Sequence, residues 1–265
     1  MSNNIHPTAI IYPGAELANN VYVGPYSIVG KNVKLGENVV LKSHVVIEGH
    51  TEIGDNTEIF PFASIGHIPQ DKKYKGETSR VIIGSNNIIR EHVTINPGTV
   101  GGIMKTVIGN NCLLMVSCHV AHDCIIGDNV ILVNNVTLGG HVVIGDYAIL
   151  GGLSAVHQFV RIGAHAMIGG MASIESDVIP YGIALNERAY LSGINIVGLR
   201  RRNYDNETIS SIQNVYEELF LHKDSSTFAN KLKIAAEKYK DNANVMVMID
   251  FLLQNTARSI CKPKL

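Results

Sequence analysis

The run LMVSCHVAHDC, residues 114–124, sets His119 and His122 three residues apart and puts Asp123 directly after His122. His141 and His157 follow further along. A neutral imidazole oriented by a carboxylate can take a proton from a hydroxyl near pH 7. Three imidazoles can equally hold a zinc ion. A solvated histidine needs no function at all, and 11 histidines are scattered over the chain. Successive residues of a strand point to opposite sides, so Asp123 reaches the His122 ring only where the chain bends.

The elements that must position these side chains are written in a six-residue repeat. An aliphatic residue falls at every sixth position from Ile5 to Ile65, and again from Ile108 to Ile174. The position four later is small or β-branched, as at Ala9, Val21, Ser27 and Val45. Gly and Asn often follow, as in Leu35-Gly36-Glu37-Asn38, and both tolerate the left-handed conformation of a tight corner. Each unit reads as a short strand and a corner. Three units close a triangular coil of 18 residues, and stacked coils bury a continuous aliphatic core. Counted from Ile108 in such coils, His122, His141 and His157 fall at positions 14, 15 and 13. The reading therefore expects a column of three histidines at one corner, with coils ~4.8 Å apart. His119 belongs to the preceding face.

The register breaks twice, at GHIPQDKKYKGETSR and at GTVGGIMKT, giving expected loop excursions near 66–82 and 98–106. Long loops on a regular scaffold are more often functional than decorative. Pro180 stands where the next aliphatic residue is due, so the β-helix is expected to occupy residues 1–190. From about Asn203 the period becomes helical, with Asp205 or Asn206 as an N-cap and further helices around Leu232 and Met248. Residues 191–265 then form a C-terminal helical domain able to cap the open edge of the β-helix.

The net charge of −1 hides a split: from Arg200 onward there are 11 Lys/Arg against 8 Asp/Glu. Such a tail can attract an acidic protein, or it is simply a solvated helical surface. The start of the sequence shows no secretory signal, and no apolar run approaches ~18 residues, so a cytoplasmic protein is expected. Cys112, Cys118 and Cys124, spaced by six, read as small buried residues rather than disulfides or ligands.

The segments HVAHDC, LGGH, AVHQF, ASIG with the following QDKK, and GINIVGLRRR resemble the acyl-carrier-protein-dependent UDP-N-acetylglucosamine O-acyltransferases of lipid A biosynthesis, over nearly the whole chain. The resemblance implies a left-handed parallel β-helix and a homotrimer with active sites between subunits. It implies His122 as general base, Asp123 orienting it, and the Gly140 amide as oxyanion donor. Gln70, Asp71, Lys73, His119, His141, His157 and Gln158 would line the substrate cleft, and the loop at 70–73 would reach a neighbour. Asn195, Arg201 and Arg202 would meet the nucleotide, and Gly170 would stand at the position that limits acyl length, where a glycine leaves room for a longer chain. The implied partners are a 3-hydroxyacyl carrier protein and UDP-N-acetylglucosamine, with no cofactor, metal, nucleic acid or membrane span. Asn96, Val197 and Arg188 depart from the family pattern in the cleft and at the nucleotide end. A zinc carbonic anhydrase on the same fold, another hexapeptide acyltransferase, and a non-enzymatic β-helix scaffold are the competing readings.

Overall fold

A computed structural model describes residues 3–222 and 225–264. Its strands form three sheets of 11, 9 and 8 members, parallel except for the last pair of the first, ordered so that nearly every strand pairs with the third one along. Most strands hold two residues, and each pairs with its equivalent one coil on, as in Thr137↔Ala155 and Leu138↔Val156. The second residue of each strand faces inward. Leu114, Val120, Ile126, Leu132, Leu138, Ile144 and Leu150 are all at most 1% exposed. Burying each such side chain contributes ~1.5–3 kcal/mol, so stacking is what holds coils that could not fold singly.

The corners turn through left-handed residues, and these align in columns. One column runs Asn20, Asn38, Asn56, with side-chain amides bonded at 3.1 and 3.0 Å. A second holds Tyr26, His44, Phe62 and His92, whose rings follow one another at 5.1 Å. The third carries Asp123, His141 and Phe159, with φ of 60°, 62° and 65°. Asn at such a corner is expected from its local hydrogen bonding. The bulky residues are tolerated because stacking with the coil above and below offsets the strain.

The loops are shorter than their sequence suggests. Arg80–Ile83 already pairs with His50–Ile53 and with Lys105–Ile108, so the excursions begin and end inside the expected bounds. Pro180 does not stop the sheets either, since Gly182–Leu185 pairs with Met167–Ile168 and turns back antiparallel through Tyr190–Ile194.

Among the described residues, four α-helices follow: α1 (Ile196–Arg201), α2 (Asn206–Tyr216), α3 (Phe228–Lys238) and α4 (Ala243–Leu253). Asp205 caps α2 by accepting the Thr208 amide at 2.7 Å; α1 is too short to show a period in the sequence. The chain then returns to the last coil. The Cys261 amide bonds the Asp177 carbonyl and the Leu191 amide bonds the Lys262 carbonyl. Asp177, fully buried, pairs with Arg161 at 2.8 Å, and Arg161 also donates to the Phe251 carbonyl of α4. These bonds cover the edge that the last coil would leave open. Cys112, Cys118 and Cys124 are buried free thiols, each donating to a carbonyl of the next coil. Among the described residues, no helix is long and apolar enough to cross a membrane.

Candidate active site

Asp123 occupies the left-handed corner, and that bend brings its carboxylate beside the preceding side chain. His122 Nδ1 lies 2.9 Å from Asp123 Oδ2. The Asp123 carboxylate is fully buried and His122 is 8% exposed. The turn at 98–104 supplies the rest of the carboxylate's shell. The Thr99 amide donates to both oxygens at 3.1 Å, the Thr99 hydroxyl to Oδ2 at 2.7 Å, and the Ile103 amide to Oδ1 at 2.9 Å. Burial alone would raise the carboxyl pKa. The bonds from Thr99, His122 and Ile103 outweigh it and hold Asp123 below the usual range. An ionised Asp123 only accepts, so the His122 proton sits on Nδ1 and Nε2 carries the free lone pair.

Gly140 lies one coil on, against the imidazole. A Cβ there would come within 2.5 Å of His122 Cε1 and 2.6 Å of Nε2. Only glycine permits this approach. The flanking amides are used: Gly139 bonds the Val156 carbonyl and His141 bonds the His122 carbonyl. Among the described residues the Gly140 amide has no partner. It is a donor beside the basic nitrogen.

His141 meets His122 edge-on, with ring centroids 5.0 Å apart, and stacks on Phe159 at 4.4 Å. Burial lowers its pKa, with Asp123 and Asp71 pulling the other way. His119 bonds the Thr94 hydroxyl through Nδ1 at 2.7 Å, and burial lowers its pKa too. The expected column of three histidines is therefore incomplete. His141 shares its corner with Asp123 and Phe159, whereas His157 stands two residues before that corner. His157 is exposed and bonds Arg258 from the C-terminal tail, which also holds the Gln158 carbonyl at 2.9 Å. A count accurate to one residue cannot tell a left-handed corner residue from the two before it.

Asp71 and Lys73 line one cavity with Thr99, Val100, His141 and Phe159 of their own chain. The loop thus folds onto its own coil. Gln70 is exposed at its tip. Gly170 is open: a Cβ would meet only the Gly152 backbone, its carbonyl at 3.3 Å, and Met171 beside it is 67% exposed. Asn195 is a buried helix cap; its side chain accepts from the Gly198 amide and donates to the His165 carbonyl, at 3.0 Å each. Arg202 donates to the Tyr147 carbonyl at 2.9 Å, while Arg201 is exposed to solvent. Val197 and Arg188 are exposed near the same end. The sequence reading missed Thr99, Phe159 and Arg258. The non-repeating GTVGGIMKT was the available signal for Thr99.

His122, Asp123 and His141 offer ligand atoms within 4.8 Å of one another. However, the lone pairs of Asp123 are already taken by Thr99, Ile103 and His122, which leaves none for a cation. The cluster is built as an oriented base with an adjoining donor, the equipment of acyl transfer.

Comparison with known proteins agrees with that class. The bacterial transferase hexapeptide model matches residues 14–49 and 105–140, and the model for domain 2 of UDP-N-acetylglucosamine O-acyltransferase matches 177–261. The acyl-[acyl-carrier-protein]–UDP-N-acetylglucosamine O-acyltransferase of Rickettsia canadensis is 54% identical over 98% of both chains. That of Rickettsia bellii is 55% identical over 98% of this chain and 92% of its own. The solved UDP-N-acetylglucosamine acyltransferase of Campylobacter jejuni superposes with a TM-score of 0.92 at 39% identity, covering 98% of this chain and all of that one. The fold is accordingly the left-handed parallel β-helix. The chain belongs to the acyl-[acyl-carrier-protein]–UDP-N-acetylglucosamine O-acyltransferase family.

Proposed function

We propose that this enzyme moves an (R)-3-hydroxyacyl group from acyl carrier protein to the glucosamine 3-hydroxyl of UDP-N-acetylglucosamine, the first step of lipid A biosynthesis. The observation that carries the reading is the 2.9 Å contact between His122 and a carboxylate held by three further donors. His122 Nε2 takes the hydroxyl proton as the sugar oxygen forms its bond to the thioester carbonyl carbon. The Gly140 amide donates to the resulting oxyanion, a contribution of ~3–4 kcal/mol. Collapse breaks the carbon–sulfur bond, and the imidazolium returns its proton to the departing carrier thiol. Asp123 stabilises that imidazolium without becoming protonated, and no covalent enzyme intermediate forms.

The remaining assignments are part of the same proposal. Gln70, Asp71, Lys73, His119, His141, His157 and Gln158 contact the sugar and thioester. Arg201 is free to meet the pyrophosphate, suited by its always-charged planar fork. Asn195 and Arg202, both committed within the chain, shape that end rather than reaching far from it. Gly170 leaves room for the acyl tail. Residues 1–190 act as the β-helix domain and 191–265 as the helical domain, whose excess of basic residues suits an acidic carrier protein. The protein works in the cytoplasm as a homotrimer. Light scattering that shows an active monomer would remove the trimer.

The test is mass spectrometry of products from UDP-N-acetylglucosamine and a panel of 3-hydroxyacyl carrier proteins. A singly O-acylated sugar nucleotide is expected. A product only from coenzyme A thioesters, or only from a 3-amino sugar, would redirect the assignment.

A further inference from the structure

Glu77 sits in the same loop as Asp71 and Lys73, yet it is bonded to the turn that holds the catalytic carboxylate. Its Oε1 accepts the Val100 amide at 3.1 Å, and its Oε2 accepts the Lys75 amide at 2.8 Å. The amide immediately before Val100, that of Thr99, points the other way, to Asp123. Two carboxylates from two separate stretches thus hold adjacent amides of one turn. The turn is fitted closely to Asp123: a Cβ on Gly102 would fall 2.2 Å from the Asp123 carboxylate carbon. Gly102 also closes the turn by bonding the Thr99 carbonyl at 3.0 Å. The Tyr74 hydroxyl bonds the Glu77 carbonyl at 3.0 Å, which fixes the loop side of the clasp.

We infer that Glu77 is a positioning residue for the base pair, coupling the loop that carries Asp71 and Lys73 to the orientation of Asp123 and His122 through the turn at 98–104. The inference rests on the acyl-transfer reading above. Glu77 touches neither His122 nor Asp123. It fixes Val100, the Val100–Thr99 peptide carries that constraint to Asp123, and Asp123 sets the imidazole. A shift of about 1 Å in a group so coupled can cost up to ~100-fold in rate.

The test uses the full-length enzyme with Glu77→Ala and Glu77→Gln. Glu77→Ala removes the acceptor for Val100. It should lower kcat about tenfold, a fraction of that limit, and speed amide hydrogen exchange in 98–104. KM for the sugar nucleotide should move less than kcat. Glu77→Gln keeps a carbonyl oxygen for Val100, while its NH2 loses the bond accepted from the Lys75 amide; because the coupling runs through Val100, it should recover most of kcat. A role in folding alone would not be rescued in turnover by the amide while leaving KM nearly fixed. Unchanged exchange in 98–104, or a loss confined to KM, would overturn the coupling. A wild-type enzyme that fails to acylate the sugar nucleotide would instead sink the underlying reading, and the exchange measurement would still decide whether Glu77 holds the turn.

Discussion

His122 and Asp123 are neighbours in sequence and hydrogen-bonded through their side chains, Nδ1 to Oδ2, at 2.9 Å. In an extended strand they would face opposite ways. The left-handed φ of 60° at Asp123 turns the carboxylate back toward the ring. Replacing Asp123 by Asn keeps the shape but removes the charge that stabilises the imidazolium. Asp123→Asn should lower kcat by about 10²-fold or more, with smaller change in KM. Steady-state kinetics with saturating carrier-protein thioester measures this; an unchanged kcat would show that the pair is not the working base.

Gly140 is required by space rather than by backbone freedom. Gly140→Ala places a methyl carbon 2.5 Å from His122 Cε1, so the ring must leave its position. A drop in kcat of at least ~10²-fold is expected while the circular dichroism spectrum persists. A fully active Gly140→Ala enzyme would mean the ring has another productive position.

His165 gives a stability prediction with a definite sign. Its ring lies between Tyr147 and Tyr181, at 4.9 and 5.5 Å, and its buried Nδ1 has no partner. Burial, with Arg202 nearby, pushes its pKa down to about 4. Between the unfolded value near ~6.5 and about 4, the unfolded chain binds more protons, so stability falls with falling pH across that window. Melting temperature should decline from pH 6.5 to 4, and His165→Phe should flatten the decline. Equal slopes for both proteins would contradict this account.

Gly170 faces open space, with only the Gly152 backbone near the place a Cβ would take. Gly170→Met should shift preference toward shorter 3-hydroxyacyl chains, read as kcat/KM across a chain-length panel. An unaltered preference would place the end of the acyl tail elsewhere.

The β-helix was legible because one inward aliphatic per six residues is a constraint of the coil itself, and Ile108 to Ile174 never breaks it. The Asn corners were legible for the same kind of reason, as at Asn38 and Asn56. Corners filled by Phe62, Leu153 or Met171 were not, since those residues carry no preference for positive φ. At the site, His122 and His141 come from adjacent coils at almost the same phase, so counting brought them together, whereas Gly140 was reached only through the family resemblance. Counting also drew in His157, because it does not register which way a side chain leaves a corner. Glu77 and Arg258 lay beyond sequence reasoning, and for Thr99 only the break in the repeat pointed to the segment: all three reach the site from irregular chain, where spacing holds no geometric information.

The most direct measurement is the turnover of His122→Ala with a 3-hydroxyacyl carrier protein and UDP-N-acetylglucosamine. The side chain lies at a corner outside the aliphatic core, so the fold and its melting temperature should persist. Turnover should fall ~10²–10⁴-fold, with substrate binding much less affected. A well-folded His122→Ala enzyme with full activity would contradict the account and return the histidine cluster to a structural role.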